Sequence, residues 1–110
     1  MATRGCVQVQ TTAGTREEAD RLASVLLERR LAACVQVLGP MESRYWWEGA
    51  LESATEWLCL AKTTADRVGD VVSAIGEAHS YDTPEVLATA VDGGNERYLR
   101  WVEETVILDS

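Results

Sequence analysis

Two side chains in one polar stretch could together bind a metal ion. His79 is the single histidine of the chain, and it opens a polar loop that runs to Glu85. A lone histidine cannot make a tight transition-metal site without partners, so as a metal ligand or a polar member of a cleft it would be completed by Glu85 or by a neighbouring chain. The alternative is structural, because a histidine at a helix end can bond a backbone carbonyl and is stabilised by the helix dipole. The sequence leaves both interpretations of His79 open.

No other group of residues has the pattern of a catalytic site. Cys6, Cys34 and Cys59 are widely spaced and lie in apolar stretches, which is typical of buried, unreactive thiols. A Ser-His-Asp arrangement would need a nucleophile motif besides the single histidine, and the sequence contains none. The Gly93-Gly94 pair is too short for a phosphate-binding loop. The sequence therefore predicts that this protein is not an enzyme.

Composition and charge argue against two further classes of protein. The chain of 110 residues suits one domain with a modest core, and 46% hydrophobic and 25% charged residues are typical of globular proteins. Its 18 acidic and 10 basic residues give a net charge of -8, which disfavours nucleic-acid binding because phosphates attract Lys and Arg. No apolar run reaches the roughly 20 residues that span a bilayer, and residues 1–5 carry no apolar signal core. We therefore expect a cytoplasmic protein without nucleic-acid or membrane partners.

Apolar and alternating patterns predict four strands. They cover residues 6–10, 33–47, 56–62 and 86–91. Gly39-Pro40 interrupts the second strand, which indicates a bulge or bend, and Glu48-Gly49 predicts a turn between the second and third strands. These two strands form a hairpin that is long for a domain of this size, with more aromatic area than two helices can cover. Such aromatic surface favours an oligomer. The residues concerned are Tyr45, Trp46, Trp47 and Trp57.

Three further stretches have helical spacing. The first helix begins with a capping box from Thr15 to Glu18 and ends with the two arginines of residues 29–30 in its last turn. The second follows a threonine N-cap at residue 63 or 64, and the last follows Asn95 as N-cap. The order is β-α-β-β-α-β plus a terminal helix. It predicts a ferredoxin-like α+β fold, an antiparallel sheet with two helices on one face.

Several motifs occur in the order and spacing of one known family. They are Arg30-Leu31-Ala32-Ala33-Cys34-Val35, Ser43-Arg44-Tyr45-Trp46-Trp47-Glu48-Gly49, Glu56, Lys62-Thr63, Tyr81-Asp82-Thr83-Pro84-Glu85 and Tyr98-Leu99-Arg100-Trp101. With them the chain resembles the CutA family of divalent-cation tolerance proteins over nearly its whole length. The resemblance implies a single CutA-like domain over residues 1–110 that assembles as a PII-like homotrimer, with the long hairpin reaching into neighbouring subunits. It also implies a non-enzymatic role in tolerance of divalent cations, above all copper, without an obligatory cofactor.

The resemblance also indicates candidate ligands for copper. In copper-binding relatives a cysteine and two histidines are the proposed ligands, and the matching positions here are Thr11, Ala78 and His79. Ser80 replaces the proline that usually follows. His79 alone therefore keeps a metal-binding side chain, and Glu85 is its predicted partner.

Five recurrent family positions lie near clefts between subunits of family trimers. They are Tyr45, Trp47, Lys62, Tyr81 and Glu85. The resemblance implies a small-ligand cleft with a lysine, a carboxylate and aromatic walls. The alternative is interface packing, with Lys62 in an ion pair with Glu56 or Glu85.

The sequence leaves two alternatives to a role in cation tolerance. A PII-like trimeric sensor or scaffold would bind a small anionic ligand in the clefts between subunits, although the acidic charge disfavours nucleotides. An acylphosphatase-like enzyme would need an arginine loop to cradle phosphate, and residues 11–15 offer little beyond one helix N-terminus.

Overall fold

An antiparallel sheet forms the centre of the protein, as seen in a computed structural model that describes residues 4–107. Along the chain the elements are β1 (Cys6–Ala13), α1 (Arg16–Glu28), β2 (Cys34–Trp47), β3 (Ala50–Thr64), α2 (Val68–Ala78), β4 (Val86–Ala90) and α3 (Glu96–Thr105). A short 3-10 turn, Ala65–Arg67, leads into α2. The strand order is β2-β3-β1-β4, and every neighbouring pair is antiparallel. The predicted ferredoxin-like α+β fold with a terminal helix is confirmed.

The main core lies between one face of the sheet and the helices α1 and α2. Val7 and Val9 of β1 alternate toward these helices, as expected for a strand with one face buried. Leu22 and Leu26 lie one helical turn apart on α1, and Ile75 faces them from α2. Burying one such side chain stabilises the fold by about 1.5–3 kcal/mol. This face of the sheet is therefore closed.

The opposite face of the sheet, which we name the open face, is covered only in part. At one end α3 lies over it, with Val102 and Val106 packed on Cys6. Beyond α3 the register of the strands directs the following side chains outward. They are Gln8, Gln10, Leu38, Leu58, Leu60, Lys62 and Leu87. Leu38 and Leu87 are half exposed, so the open face carries apolar surface that this chain itself does not cover within residues 4–107.

The hairpin of β2 and β3 is longer than the sequence predicted. The predicted third strand began at residue 56, whereas pairing with β2 continues to Ala50 opposite Trp47. The register shifts between Leu38 and Met41, where Gly39-Pro40 predicted a bulge. Glu48 (φ 49°) and Gly49 (φ 80°) form a turn whose left-handed residues suit the twist of the strands. This hairpin gives the protein its elongated shape, 50 Å along one axis against 26 and 22 Å along the others.

The predicted capping box at α1 is half correct. Thr15 does accept the backbone N–H of Glu18, at 3.1 Å. The Glu18 carboxylate does not return to Thr15, because it accepts the backbone N–H of Ser80 at 2.7 Å. The Glu18 side chain, which was expected to cap its own helix, therefore joins α1 to the loop between α2 and β4.

Two other predicted helix ends differ in the structure. α1 ends at Glu28, so Arg29 is the C-cap residue and Arg30 lies beyond the helix rather than in its last turn. Thr64 does not cap α2, because its hydroxyl donates to the Asp66 carboxylate and the 3-10 turn separates it from the helix. The first difference follows from the left-handed backbone of Arg30 (φ 56°), which stops the helix, and the second from Asp66, which takes the hydroxyl that a cap would use.

None of the helices within residues 4–107 combines the length and apolar character needed to cross a bilayer. Residues 1–3, part of the stretch on which the expected lack of a signal segment is based, lie outside the described residues.

Candidate functional site

A cleft of about 620 Å³ opens on the open face along the outer half of the hairpin, toward its turn. It is built by the end of β1, by β2 and β3, and by the loop between α2 and β4. Its lining residues are Thr12, Ser43, Arg44, Tyr45, Trp47, Glu52, Glu56, Tyr81, Asp82, Thr83 and Glu85. We name it the acidic cleft, because four of these side chains are carboxylates and one is basic. The single basic group, Arg44, lies 3.2 Å from Glu42, which does not line the cleft.

Tyr81 joins the loop to the hairpin inside the acidic cleft. Its hydroxyl donates to Glu56 Oε2 at 2.9 Å, and Glu56 is only 8% exposed. Burial, together with the hydrogen bond and charge of Glu56, raises the pKa of Tyr81 to about 12. The hydroxyl therefore stays protonated at neutral pH and remains a donor. A Cβ atom at Gly14 would lie 3.0 Å from this hydroxyl. The backbone that directly follows β1 therefore also confines the tyrosine ring.

His79 fixes the start of the same loop. Its buried ring donates from Nε2–H to the carbonyl of Thr12 at 2.6 Å, and Nδ1 accepts the backbone N–H of Tyr81 at 3.0 Å. The rings of His79 and Tyr81 also lie close, with centroids 4.7 Å apart. Both nitrogens are thus occupied. The geometry matches the structural alternative for this residue, in which a helix-end histidine bonds a carbonyl.

Glu18 ties the loop to α1 from the other side. Its Oε2 accepts the Ser80 N–H and lies 3.4 Å from Arg21 Nη2 and 3.5 Å from His79 Nδ1. Burial acts to raise the pKa of this carboxyl, but hydrogen bonds from the side chain and backbone of Ser80, together with the charge of Arg21, lower it below its usual value. Glu18 is therefore an ionised anchor of the loop that carries Tyr81.

Four of the residues proposed from the sequence meet in this site and two do not line it. Tyr45, Trp47, Tyr81 and Glu85 line the acidic cleft. His79 is buried against Tyr81, so it supports the wall rather than facing the cleft. Lys62 lies elsewhere on the open face, where its Nζ donates to Gln36 Oε1 at 2.8 Å. The cleft has the aromatic walls and the carboxylate that were expected, but its basic residue is Arg44 instead of the lysine.

The residues present fit a tightly bound copper ion poorly within one protomer. Within residues 4–107, no three His, Cys, Asp or Glu side chains lie close enough together to hold a metal ion. The nitrogens of His79 are occupied, and Glu85 Oε2 accepts the Gln10 amide at 2.9 Å. An oxygen-rich cleft suits a hard cation that keeps some of its water better than it suits copper.

Sequence reasoning missed the carboxylates on the third strand that give the cleft its charge. The sequence marks Glu56 only as part of a family motif and as a partner for Lys62, and no local pattern marks Glu52. A usable signal exists, because Glu56 has the same parity as Leu58 and Leu60 and must point to the open face with them. A carboxylate that begins an apolar strand on that face is a candidate for a partly enclosed charge.

Comparison of sequences connects this geometry to known proteins. The sequence model of the family described as CutA1 divalent ion tolerance protein matches residues 7–105. The divalent-cation tolerance protein CutA of Archaeoglobus fulgidus is 41% identical over 98 residues, which make up 89% of this chain and 95% of that protein. Protein CutA 1, chloroplastic, of Oryza sativa is 35% identical over 99 residues, 90% of this chain and 56% of the rice protein.

Solved structures share the fold over nearly the whole chain. The crystal structure of CutA1 from Oryza sativa matches with a TM-score of 0.94 at 34% identity, covering 97% of this chain and 98% of that one. The periplasmic divalent cation tolerance protein CutA from Archaeoglobus fulgidus matches with a TM-score of 0.89 at 39% identity, covering 93% of this chain and 99% of that one.

The expected cytoplasmic location is corrected by these relatives. The solved protein from Archaeoglobus fulgidus is periplasmic, and the rice relative is chloroplastic. Proteins with this fold and sequence therefore occupy several compartments, and the composition of residues 1–5 was not a sufficient basis for choosing one.

The resemblance suggested by the separate motifs now has independent support. The family match runs from β1 into α3 and so includes every segment that builds the acidic cleft. The relatives above 30% identity cover most of the chain, and one of them is covered almost completely in turn. The chain belongs to the CutA1 divalent ion tolerance family.

Proposed function

We propose that this protein is a non-enzymatic, homotrimeric cation-binding protein that contributes to divalent-cation tolerance through the acidic cleft. The observation that carries this proposal is the charge of the cleft lining, with four carboxylates and a single arginine. A surface concavity lined by one sign of charge raises the local concentration of oppositely charged ions. The same charge repels the small anions that a PII-like sensor would bind.

The proposed ion is hydrated and oxygen-bound. Because the described carboxylates do not converge as a group of three, one or two of them would contact the ion and water would fill its other positions. Copper bound by His79 and Glu85 would need the ring of His79 to leave its two hydrogen bonds, or ligands from another subunit. The structure therefore supports the cleft carboxylates over His79 as the cation site.

The homotrimer rests on apolar residues that do not line the acidic cleft. Apolar side chains such as Leu38 and Leu87 are half exposed on the open face, and the hairpin adds Trp46, which is more exposed still. Exposed apolar patches of this kind mark interaction surfaces. Family membership makes a second and third copy of this chain the expected cover.

Calorimetric titration with Mn²⁺ and with Cu²⁺ tests the cation site. We expect Glu56→Gln to weaken Mn²⁺ binding about fivefold to tenfold, because one carboxylate charge beside the ion is lost, and we expect the exposed control Glu77→Gln to bind as the parent does. His79→Asn should leave Mn²⁺ binding nearly unchanged. No heat with either ion would refute the cation site, and loss of binding in His79→Asn alone would move the site to that histidine.

A further inference from the structure

We propose that the acidic cleft also recognises a small organic ammonium ion, held over aromatic rings with its charge toward Glu56. This inference rests on the proposal that the cleft binds cations, and it specifies the chemical class of ligand that the walls of the cleft select. Three observations carry it: the unneutralised charge of Glu56, the aromatic walls and the volume of the cleft.

The charge of Glu56 has no counter-ion among the described residues. The residue as a whole is 8% exposed, and its one described hydrogen bond comes from the neutral hydroxyl of Tyr81 to Oε2. Within residues 4–107, Oε1 accepts no hydrogen bond and no basic side chain forms an ion pair with Glu56. A buried carboxylate is stabilised by a cation that enters with its own hydrogen-bond donors or its own charge. A cationic ligand in the cleft would therefore neutralise the charge of the Glu56 carboxylate.

The walls distinguish one kind of cation from another. Tyr45, Trp47 and Tyr81 come from two separate segments, line the same cleft and are between 37% and 53% exposed. Their rings are therefore not fully covered by the chain itself. An alkylated ammonium ion is weakly hydrated and is attracted to the face of an aromatic ring. A hydrated divalent ion keeps its water and gains little from the same rings.

The volume of the cleft agrees with a molecular ligand. About 620 Å³ falls within the range of roughly 300–1,000 Å³ that is usual for small-molecule sites, and it far exceeds the space that a single ion fills. Polar groups of the lining, from Thr12 and Ser43, could bond an amine or hydroxyl of such a ligand. The acidic cleft therefore combines charge, aromatic surface and space for an organic cation.

The test is calorimetric titration of the assembled protein with tetramethylammonium, beside tert-butanol as an uncharged probe of similar size and Mn²⁺ as an inorganic cation. We expect tetramethylammonium to bind and tert-butanol not to bind. Trp47→Leu should weaken tetramethylammonium about tenfold and leave Mn²⁺ unchanged, and Trp47→Phe should restore much of the loss because a phenyl ring keeps an attractive face. Trp46→Leu is the matched control, since Trp46 pairs with Leu51 on the other side of the hairpin and does not line the cleft.

The possible results distinguish failure of the organic-ammonium proposal from failure of the divalent-cation proposal on which it rests. Glu56→Gln should weaken both cations, because both need its charge. Mn²⁺ binding without tetramethylammonium binding would overturn the organic ligand and leave the divalent-cation site standing, whereas failure of both would remove both proposals. Equal effects of Trp47→Leu and Trp46→Leu would also overturn the inference. So would an assembled structure in which a basic side chain of a partner subunit occupies the site beside Glu56. Light scattering on every variant identifies any loss of assembly.

Discussion

The hydroxyl of Tyr81 supplies the one hydrogen bond that Glu56 accepts within residues 4–107. We expect Tyr81→Phe to lower the free energy of unfolding by about 1–2 kcal/mol, because the carboxylate of a buried glutamate would lose its donor. Urea denaturation followed by tryptophan fluorescence measures the change. Tyr45→Phe is the matched control, since its hydroxyl forms no hydrogen bond among the described residues. Equal stability of the two variants would contradict this account.

Because the pKa of Glu18 is lowered in the folded protein, the free energy of unfolding depends on pH. Its folded pKa lies below the unfolded value of roughly 4.3, so ionised Glu18 stabilises the fold above that value, and the contribution is lost as pH falls through the folded pKa. We therefore expect Glu18→Gln to be less stable than the parent at neutral pH and to lose less stability on acidification. Denaturation curves between about pH 3 and pH 7 measure this difference. The exposed neighbour Glu17→Gln should follow the parent, and identical slopes for Glu18→Gln and the parent would count against the anchor.

At the scale of the element, Arg4 holds α3 against the sheet. Its guanidinium donates to both oxygens of Asp66, at 2.9 and 3.1 Å, and to the carbonyls of Glu103 and Val106, at 2.7 Å each. We expect Arg4→Met to cost about 2–4 kcal/mol, because two carbonyls at the end of the helix and one carboxylate lose their donor together. Chemical denaturation measures the loss. Arg97→Met, on the exposed side of α3, should change stability by less than about 0.5 kcal/mol.

Features of the helices and strands that depend on neighbouring residues could be predicted from the sequence. Contacts between residues far apart in the chain could not. The caps Thr15 and Asn95 were predictable because each bonds backbone groups within three residues of itself. The destination of Glu18 was not, because its partner Ser80 is brought near only by the packed fold. Likewise, residues 50–55 have no apolar alternation, and their strand exists because β2 supplies hydrogen bonds across the hairpin.

The candidate site divides in the same way. Its aromatic residues and Glu85 came from motifs that were readable along the chain. The pairing of Tyr81 with Glu56 joins a loop to a strand 25 residues away, and the separation of Lys62 from the cleft depends on strand register. Neither is encoded in local spacing.

At the scale of the whole molecule, the open face should control assembly. We expect the parent protein to have the mass of a trimer by light scattering, and Leu87→Glu to shift it toward the mass of one chain. Leu87 is 54% exposed on the sheet, and a charge buried at an interface between copies is costly. Val72→Glu is the matched control, because Val72 is a similarly exposed apolar residue, 41%, on the helix side. A monomeric parent, or equal loss of assembly in both variants, would refute the role of the open face.

The position of β2 at the margin of the sheet has a consequence for the newly made chain. Within the described chain this strand of 14 residues pairs on one side alone, with β3, so its outer row of N–H and C=O groups can accept another strand. In the proposed homotrimer, a protomer that has left the ribosome and has not yet met the other copies carries a template for pairing with any extended segment nearby. We therefore expect correct folding to depend on the abundance of the protein during synthesis. Amide hydrogen exchange along β2, fast in dilute protein and slow in concentrated protein, would make that vulnerable interval directly visible.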